Sequence, residues 1–399
     1  MERVIAVYVQ TPDVDDRRLD MQLEELSELV RTAGGQLKKT IIQKRDRYDN
    51  RTLVGKGKVA EIKAMADAHE ADLVVFYQPL SPSQGRNIQE ELDMPVIDRV
   101  QLILDIFAQH ASSKEGKLQV ALAQNEYLLP RLAGQGTSLS RLGGGIGTRG
   151  PGETKLEMDR RVLRHEIQKI KRELKAVEDH RQRTRLKRQD SPTFQIALFG
   201  YTNVGKSTIL NQISAGGAQE DNKLFATLTP LTRQFDLENK FKLTITDTVG
   251  FIQDLPPQVI DAFHSTLEES RDVDLMLIVI DASSPYASEQ QEVVLDLLAE
   301  LEMNQTPHLF VYNKMDLVDE GQDHLFRPPY VAISARDETG MNKLKAAIIE
   351  QIKTIYQPFK MKVAPAEIGN WIAKQDYIYI ADMSFDDDEQ VYWLSGYRR

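Results

Sequence analysis

The feature that most constrains this chain is Phe199-Gly200-Tyr201-Thr202-Asn203-Val204-Gly205-Lys206-Ser207-Thr208, a Gly-x-x-x-x-Gly-Lys-Ser run. The apolar stretch Gln195-Ile196-Ala197-Leu198-Phe199 precedes it and reads as a buried strand. Ile209-Leu210-Asn211-Gln212-Ile213 follows and reads as the opening of a helix. Strand, glycine loop and helix in that order place backbone N–H groups and a helix N-terminus around phosphates. The whole run Gly200 to Thr208 is therefore a predicted phosphate cradle. Lys206 sets a cation against the β- and γ-phosphates, and Ser207 offers a hydroxyl to Mg²⁺.

Three more segments define the nucleotide. Leu243-Thr244-Ile245-Thr246-Asp247-Thr248-Val249-Gly250 reads as a strand ending in D-x-x-G. Asp247 is placed to hold Mg²⁺, and the Gly250 N–H can reach a γ-phosphate because no side chain blocks the approach. Asn313-Lys314-Met315-Asp316 follows the buried strand pattern of Thr306 to Tyr312. The Asp316 carboxylate can accept from both the ring N–H and the exocyclic amine of guanine. Adenine lacks both donors and would leave the carboxylate unpaired, a loss that discriminates strongly. Ser334-Ala335-Arg336 supplies backbone to the base from the other side. Between Asp221 and Pro230 lies a Thr-rich segment in the place of a first switch. Thr227 is the expected Mg²⁺ contact, with Thr229 and Thr232 as alternatives. Phe251 stands where many small GTPases carry a water-orienting Gln. A Phe ring cannot orient water by hydrogen bonding, so slow intrinsic hydrolysis is expected, with a partner or another group completing the site. The Asn203 amide oxygen is a candidate ligand for K⁺ beside the β–γ bridge, which would act as a charge at the leaving oxygen.

Bulk properties narrow the setting. The 399 residues carry a net charge of −10, which argues against a surface uniformly adapted to nucleic acid. The charge is unevenly spread. Residues 157–189 hold 12 Lys/Arg against 6 Asp/Glu, a net of +6, so the remainder carries −16. A basic element on an acidic body points to one localised contact, or to a solvated helix face. There is no cysteine, which excludes disulfides and thiolate metal sites and fits a reducing cytoplasm. Met1-Glu2-Arg3-Val4 lacks a basic region followed by a long apolar core, so no signal peptide is expected, and the run Leu275 to Ile280 is far too short to span a bilayer.

The patterns divide the chain into four segments. Residues 1–115 read as a small α/β domain with strands over Val4–Val9 and Leu73–Tyr77. Val54-Gly55-Lys56-Gly57-Lys58 opens a helix there, as a capped turn or as an anion contact. Residues 116–190 read as an antiparallel helical hairpin. Its first helix runs from Gly116 to Arg131 and stops at Pro130. Its second spans 153–189 with an apolar seam of Leu156, Leu163, Ile167, Ile170, Leu174 and Val177. The loop 132–152 between them carries eight glycines with Arg141 and Arg149, as a flexible linker or as a tip that approaches RNA phosphates closely. Residues 191–357 alternate strands and helices, as a GTPase domain with a mostly parallel sheet would. Residues 358–399 form a small α+β domain. Tyr377–Ile380 and Val391–Leu394 read as its strands and Ser384–Glu389 as an acidic turn, solvated or cation-binding.

Taken together, the chain resembles the HflX-type ribosome-associated GTPases, a branch of the translation-factor-related P-loop GTPases. The resemblance covers nearly the whole chain. It rests on Val54 to Lys58, Leu102 to Gln109, Glu115 to Val120, Tyr127 to Leu132, Gly150-Pro151-Gly152-Glu153-Thr154, Gly200 to Asn203 and Leu224 to Leu228. It implies GTP hydrolysis with Mg²⁺, and binding to the large ribosomal subunit and its RNA in a GTP-regulated way. It also implies splitting of stalled or idle ribosomes under stress, and ATP binding through the N-terminal region. A monomer is expected. By position it puts the first-switch contacts on Phe225, Ala226, Thr227, Leu228 and Thr229, with Thr227 on Mg²⁺. Two places depart from the family pattern. Thr229-Pro230-Leu231-Thr232-Arg233 stands where Asp-Pro-Thr-Thr-Arg is usual, and Ser334-Ala335-Arg336 where Ser-Ala-Lys is commoner. A role in ribosome assembly, and a GTP-gated RNA-binding module that rarely hydrolyses, are the competing readings.

Overall fold

The computed structural model describes residues 1–132, 151–189, 193–214, 225, 231–237, 241–253, 273–318, 326–372 and 378–399, with the side chains of 151–156, 178–189 and 372 left aside. The described residues form two compact units that meet in sequence at Asp179 and His180.

The first unit is built on a four-stranded parallel sheet of β1 (Arg3–Gln10), β2 (Gln36–Lys44), β3 (Leu73–Phe76) and β4 (Val96–Asp98), in the order β2-β1-β3-β4. The apolar run of β1 is buried at seven of eight positions, as a strand covered on both faces must be. The crossovers are α1 (Asp16–Thr32), α2 (Lys56–Ala68) and α3 (Pro82–Leu92), followed by α4 (Arg99–His110). Ile5, Val7 and Val9 of β1 and Val74 and Phe76 of β3 pack on Val59 and Ile62 of α2 and Ile88 of α3. α3 starts where its sequence says it should. Ser81 accepts from the Gln84 N–H, the Gln84 side chain answers the Ser81 N–H, and Pro82 occupies the first turn. α2 opens at Gly55, which has no side-chain cap, and the Gly55 N–H donates to Gln43 Oε1 at 3.0 Å.

Two further helices complete this part of the chain, α5 (Lys114–Arg131) and α6 (Pro151–Gln189). α5 begins two residues before the expected Gly116, because Ser113 caps it by accepting from the Gly116 N–H at 2.9 Å. Pro130 does not stop it but sits inside its last turn. Along α6, Ile167 is buried, and Leu163, Ile170, Leu174 and Val177 are half-buried, so the expected seam is the covered side. Lys171 of α6 pairs with Glu126 of α5 at 2.8 Å. Residues 133–150 of the glycine-rich loop lie outside the described residues.

The second unit carries a six-stranded sheet of β5 (Phe194–Gly200), β6 (Leu231–Asp236), β7 (Lys242–Asp247), β8 (Leu275–Asp281), β9 (His308–Asn313) and β10 (Tyr330–Ala332). The order is β10-β9-β8-β5-β7-β6, and all pairs are parallel except the β6–β7 edge. α7 (Lys206–Ile213), α8 (Ala287–Glu300) and α9 (Glu338–Ile355) cover it. Behind it, β11 (Gln357–Val363), β12 (Tyr379–Asp386) and β13 (Val391–Arg398) form an antiparallel sheet in the order β11-β13-β12, with the short α10 (Ile368–Ile372). This small sheet docks through edge-to-face contacts of Phe241 with Tyr356 and Tyr379, and of Phe194 with Tyr356. β12 runs on to Asp386, so the acidic turn is shorter than the sequence pattern suggested. Asp386 closes it by accepting from the Asp388 and Glu389 N–H groups, each at 3.1 Å.

Candidate functional site

The loops that matter leave the C-terminal ends of β5, β7, β8 and β9, where an open parallel sheet offers a ligand its crevice. β5 is buried along nearly its whole length and delivers Gly200 to the loop; Gly205 then caps α7 at φ 97°. Glycine is required there for a second reason, because a Cβ at that position would overlap Asn313 Nδ2. Asn203 is exposed and also holds a left-handed φ of 62°, a conformation Asn tolerates.

Lys206 is buried, and its Nζ donates to the Gly200 and Tyr201 carbonyls at 3.1 and 2.9 Å. Burial pulls this ammonium down to about 8, with the Asp247 carboxylate opposing the shift. Ser207 Oγ donates to Asp247 Oδ2 at 2.8 Å, so a hydroxyl and a carboxylate meet at the foot of the loop. Two hard oxygen donors of this kind fit Mg²⁺, which takes one or two protein ligands beside phosphate and water oxygens. Among the described residues no group of three or more acidic, His or Cys side chains would hold a metal unaided. Thr208 is half-buried in the first turn of α7. Thr248 is fully buried and donates to the Leu198 carbonyl at 2.6 Å, which ties the D-x-x-G strand end to β5. Val249 is buried beside it, and Gly250 lies against Thr202 and Lys206.

The Asn313 side chain joins three loops. Its Nδ2 donates to the Val204 carbonyl at 2.8 Å, and its Oδ1 accepts from the Ala335 N–H at 2.9 Å. Lys314 adds a second strut, donating to the Asn203 carbonyl at 2.8 Å and to Asp281 Oδ2 at 2.6 Å. Met315 donates its N–H to the Ile333 carbonyl at 3.1 Å and opens a one-turn 3₁₀ helix that presents Asp316 exposed. Ser334 is half-buried, Ala335 buried and Arg336 exposed on the loop after β10. The motifs that sequence puts more than a hundred residues apart are thus joined by direct hydrogen bonds.

Phe225 is buried with a left-handed φ of 57°. Ala226, Thr227, Leu228 and Thr229 lie outside the described residues. Sequence reasoning missed Asp281, and it placed Thr202 in the phosphate cradle without a role for its hydroxyl. The signal for Asp281 was present, a carboxylate ending the apolar strand Leu275–Ile280. Thr202 Oγ1 is buried with no hydrogen-bond partner among the described residues, which no local pattern announces.

Comparison with known proteins agrees along the whole chain. Residues 20–108 match the family described as "GTP-binding GTPase N-terminal", 110–188 "GTP-binding GTPase Middle Region" and 195–314 "50S ribosome-binding GTPase". The chain is 44% identical to the GTPase HflX of Alkalihalophilus pseudofirmus, over 100% of this chain and 94% of that protein. It is also 44% identical to the GTPase HflX of Caldanaerobacter subterraneus, over 88% of this chain and 81% of that one. Among solved structures, a GTP-binding protein from Sulfolobus solfataricus in complex with GDP overlaps 88% of this chain and 98% of its own, at 24% identity and a TM-score of 0.46. The strand-end loops carry the motifs of a guanine-nucleotide site, and identity at this level runs from end to end, so the chain belongs to the HflX family of GTPases.

Proposed function

We propose that this GTPase binds the large ribosomal subunit and its RNA in a GTP-regulated way and splits stalled or idle ribosomes under stress. One observation carries the reading: a helix with a net charge of +6 is built into an acidic chain whose nucleotide domain is similar to 50S ribosome-binding GTPases. ATP binding at the N-terminal domain, a monomeric state and a cytoplasmic location belong to the same reading. Among the described residues no helix is long and apolar enough to cross a membrane.

At the nucleotide site, Lys206 and the N–H groups of residues 200–208 hold the phosphates. Ser207 and Asp247, joined by Thr227 in the GTP state, would hold Mg²⁺, which would supply charge neutralisation to the phosphates. Asp316 selects guanine, backed by Ser334, Ala335 and Arg336. The Gly250 N–H donates to the γ-phosphate. Water attacks the γ-phosphorus, the bond to the β–γ bridging oxygen breaks, and GDP and phosphate leave. Asn203 would hold K⁺, which would supply positive charge to the developing diphosphate, so turnover should be faster in K⁺ than in Na⁺.

Sedimentation of whole ribosomes with the protein in GTP, in a non-hydrolysable analogue and in GDP tests the ribosomal part. The expected result is co-sedimentation with the large subunit and loss of whole ribosomes in the analogue. Protein at the top of the gradient in every nucleotide would sink it, and pre-subunit accumulation in cells lacking the protein would favour assembly instead.

A further inference from the structure

The segment after D-x-x-G is zipped onto the phosphate loop. The Thr202 N–H donates to the Phe251 carbonyl at 2.8 Å, and the Phe251 N–H donates to the Gly200 carbonyl at 3.1 Å. Tyr201 and Phe251 thereby pair as one rung of a parallel ladder beyond the ends of β5 and β7. A third bond follows, from the Gln253 N–H to Tyr201 Oη at 2.9 Å. The Phe251 ring anchors the zip. It is 1% exposed and stacks on Phe199, with ring centroids 6.1 Å apart and planes 22° from parallel.

This zip fixes where Gly250 lies. A Cβ built there would be 2.8 Å from Thr202 Cγ2 and 3.2 Å from Lys206 Nζ. Gly250 is thus held against the P-loop ammonium, on ground that an anionic oxygen bonded to Lys206 from that side would need. Lys206 already gives two of its three protons to the Gly200 and Tyr201 carbonyls. Only a triphosphate needs that ground, because the γ-phosphate is the group expected between the P-loop lysine and the D-x-x-G glycine. Thr202 adds a reason for the closed form to be the weaker binder of triphosphate. Its Oγ1 has no hydrogen-bond partner among the described residues, and a buried hydroxyl left so is unfavourable until an acceptor arrives.

We infer that Phe251 sets the balance between GDP and GTP: its ring holds the zip closed over the γ-phosphate position, so triphosphate binds only by opening it. The inference rests on residues 200–207 being the phosphate cradle. It gives Phe251 a role distinct from the water-orienting one its side chain cannot perform. A ligand shifts such an equilibrium only by its differential affinity for the two forms. Here the γ-phosphate gains contacts to Lys206, Thr202 and the Gly250 N–H, and gives up the ladder. Phe251 acts through the position of Gly250 and is a positioning residue for it.

Two readouts test this in the full-length protein. The first is the ratio of dissociation constants for a non-hydrolysable GTP analogue and for GDP, in wild type, Phe251→Leu and Phe251→Ala. The ratio should fall about tenfold in Phe251→Ala, chiefly by tighter analogue binding, and less in Phe251→Leu, which keeps apolar volume. An unchanged ratio in both variants overturns the inference. The second needs no variant and stands if Phe251→Ala does not fold. Hydrogen exchange across residues 250–253 should be slow with GDP and at least tenfold faster with the analogue. Equal or greater protection with the analogue overturns it. Failure of GDP itself to bind would instead bring down the phosphate-cradle reading on which the inference stands.

Discussion

The parallel sheet of the first unit and the mostly parallel sheet of the second end their strands in opposite ways. In the first unit β4 ends on Asp98, which is 1% exposed and accepts four hydrogen bonds from the protein itself. Tyr127 Oη and the Gln101 N–H donate to its Oδ1 at 2.8 and 3.0 Å, and the Leu80 N–H and Arg131 to its Oδ2 at 2.9 and 3.2 Å. Arg131 also stacks on the Tyr127 ring, 3.4 Å from its centroid. Polar groups at that strand end are consumed in fastening α5 to the sheet. In the second unit the strand ends carry glycines, a buried lysine and a buried hydroxyl, and their loops lean on one another through Asn313 and Lys314. The same architecture therefore supports a structural joint in one unit and a ligand site in the other. What separates them is that four protein donors converge on the one carboxylate of Asp98, whereas in the second unit Thr202 Oγ1 has no hydrogen-bond partner among the described residues.

The contrast can be broken most severely at Lys206. Lys206→Ala removes the cation buried against the loop and should weaken GTP binding by about 100-fold or more, as loss of charge-assisted bonds does. Fold stability should hold or rise, because a buried ammonium is lost; isothermal titration and thermal melting read the two effects separately. Asn313→Ala removes the strut between three loops. We expect about tenfold weaker GTP binding, together with about 1–3 kcal/mol of lost stability from its buried hydrogen bonds. Asp98→Asn sharpens the comparison from the other side. It turns one acceptor edge into a donor facing donors, and should cost about 2–4 kcal/mol in urea unfolding while leaving GTP affinity unchanged.

The smallest effect concerns acid. Arg3 holds the Asp72 carboxyl down to about 2, from an ordinary 3.8, through a paired contact at the mouth of β1 and β3. A depressed folded value means that its contribution is complete above the unfolded value of 3.8 and disappears as pH falls through about 2. Wild type should thus exceed Asp72→Asn slightly in urea midpoint at pH 5, and the gap should close at pH 2.

Much of this could be read from the chain before any coordinates. The phosphate loop, D-x-x-G and N-K-x-D each follow an apolar strand and are complete within about ten residues, so their local pattern carries them. The seam of α6 was legible for the same reason, since it repeats along one helix. What escaped are pairings between distant segments. The Phe251–Thr202 ladder joins residues 49 apart, and the donors on Asp98 come from residues 3 to 33 positions away. Nothing near Asp98 in sequence distinguishes a buried acceptor from a surface carboxylate. The end of α5 at Arg131 is where the pattern put it, with Pro130 inside the last turn and not beyond it. Proline loses the bond to residue i−4 and crowds that carbonyl, but only Arg131 follows Pro130 in α5, so the loss is confined to the end of the helix.

If the second sheet's strand ends form a guanine-nucleotide site, Asp316→Asn must change nucleotide specificity. We expect guanine nucleotide affinity to fall by two orders of magnitude or more and xanthine nucleotide affinity to rise, because the new amide can donate to the 2-carbonyl of xanthine. Unchanged GTP affinity in this variant would contradict the account.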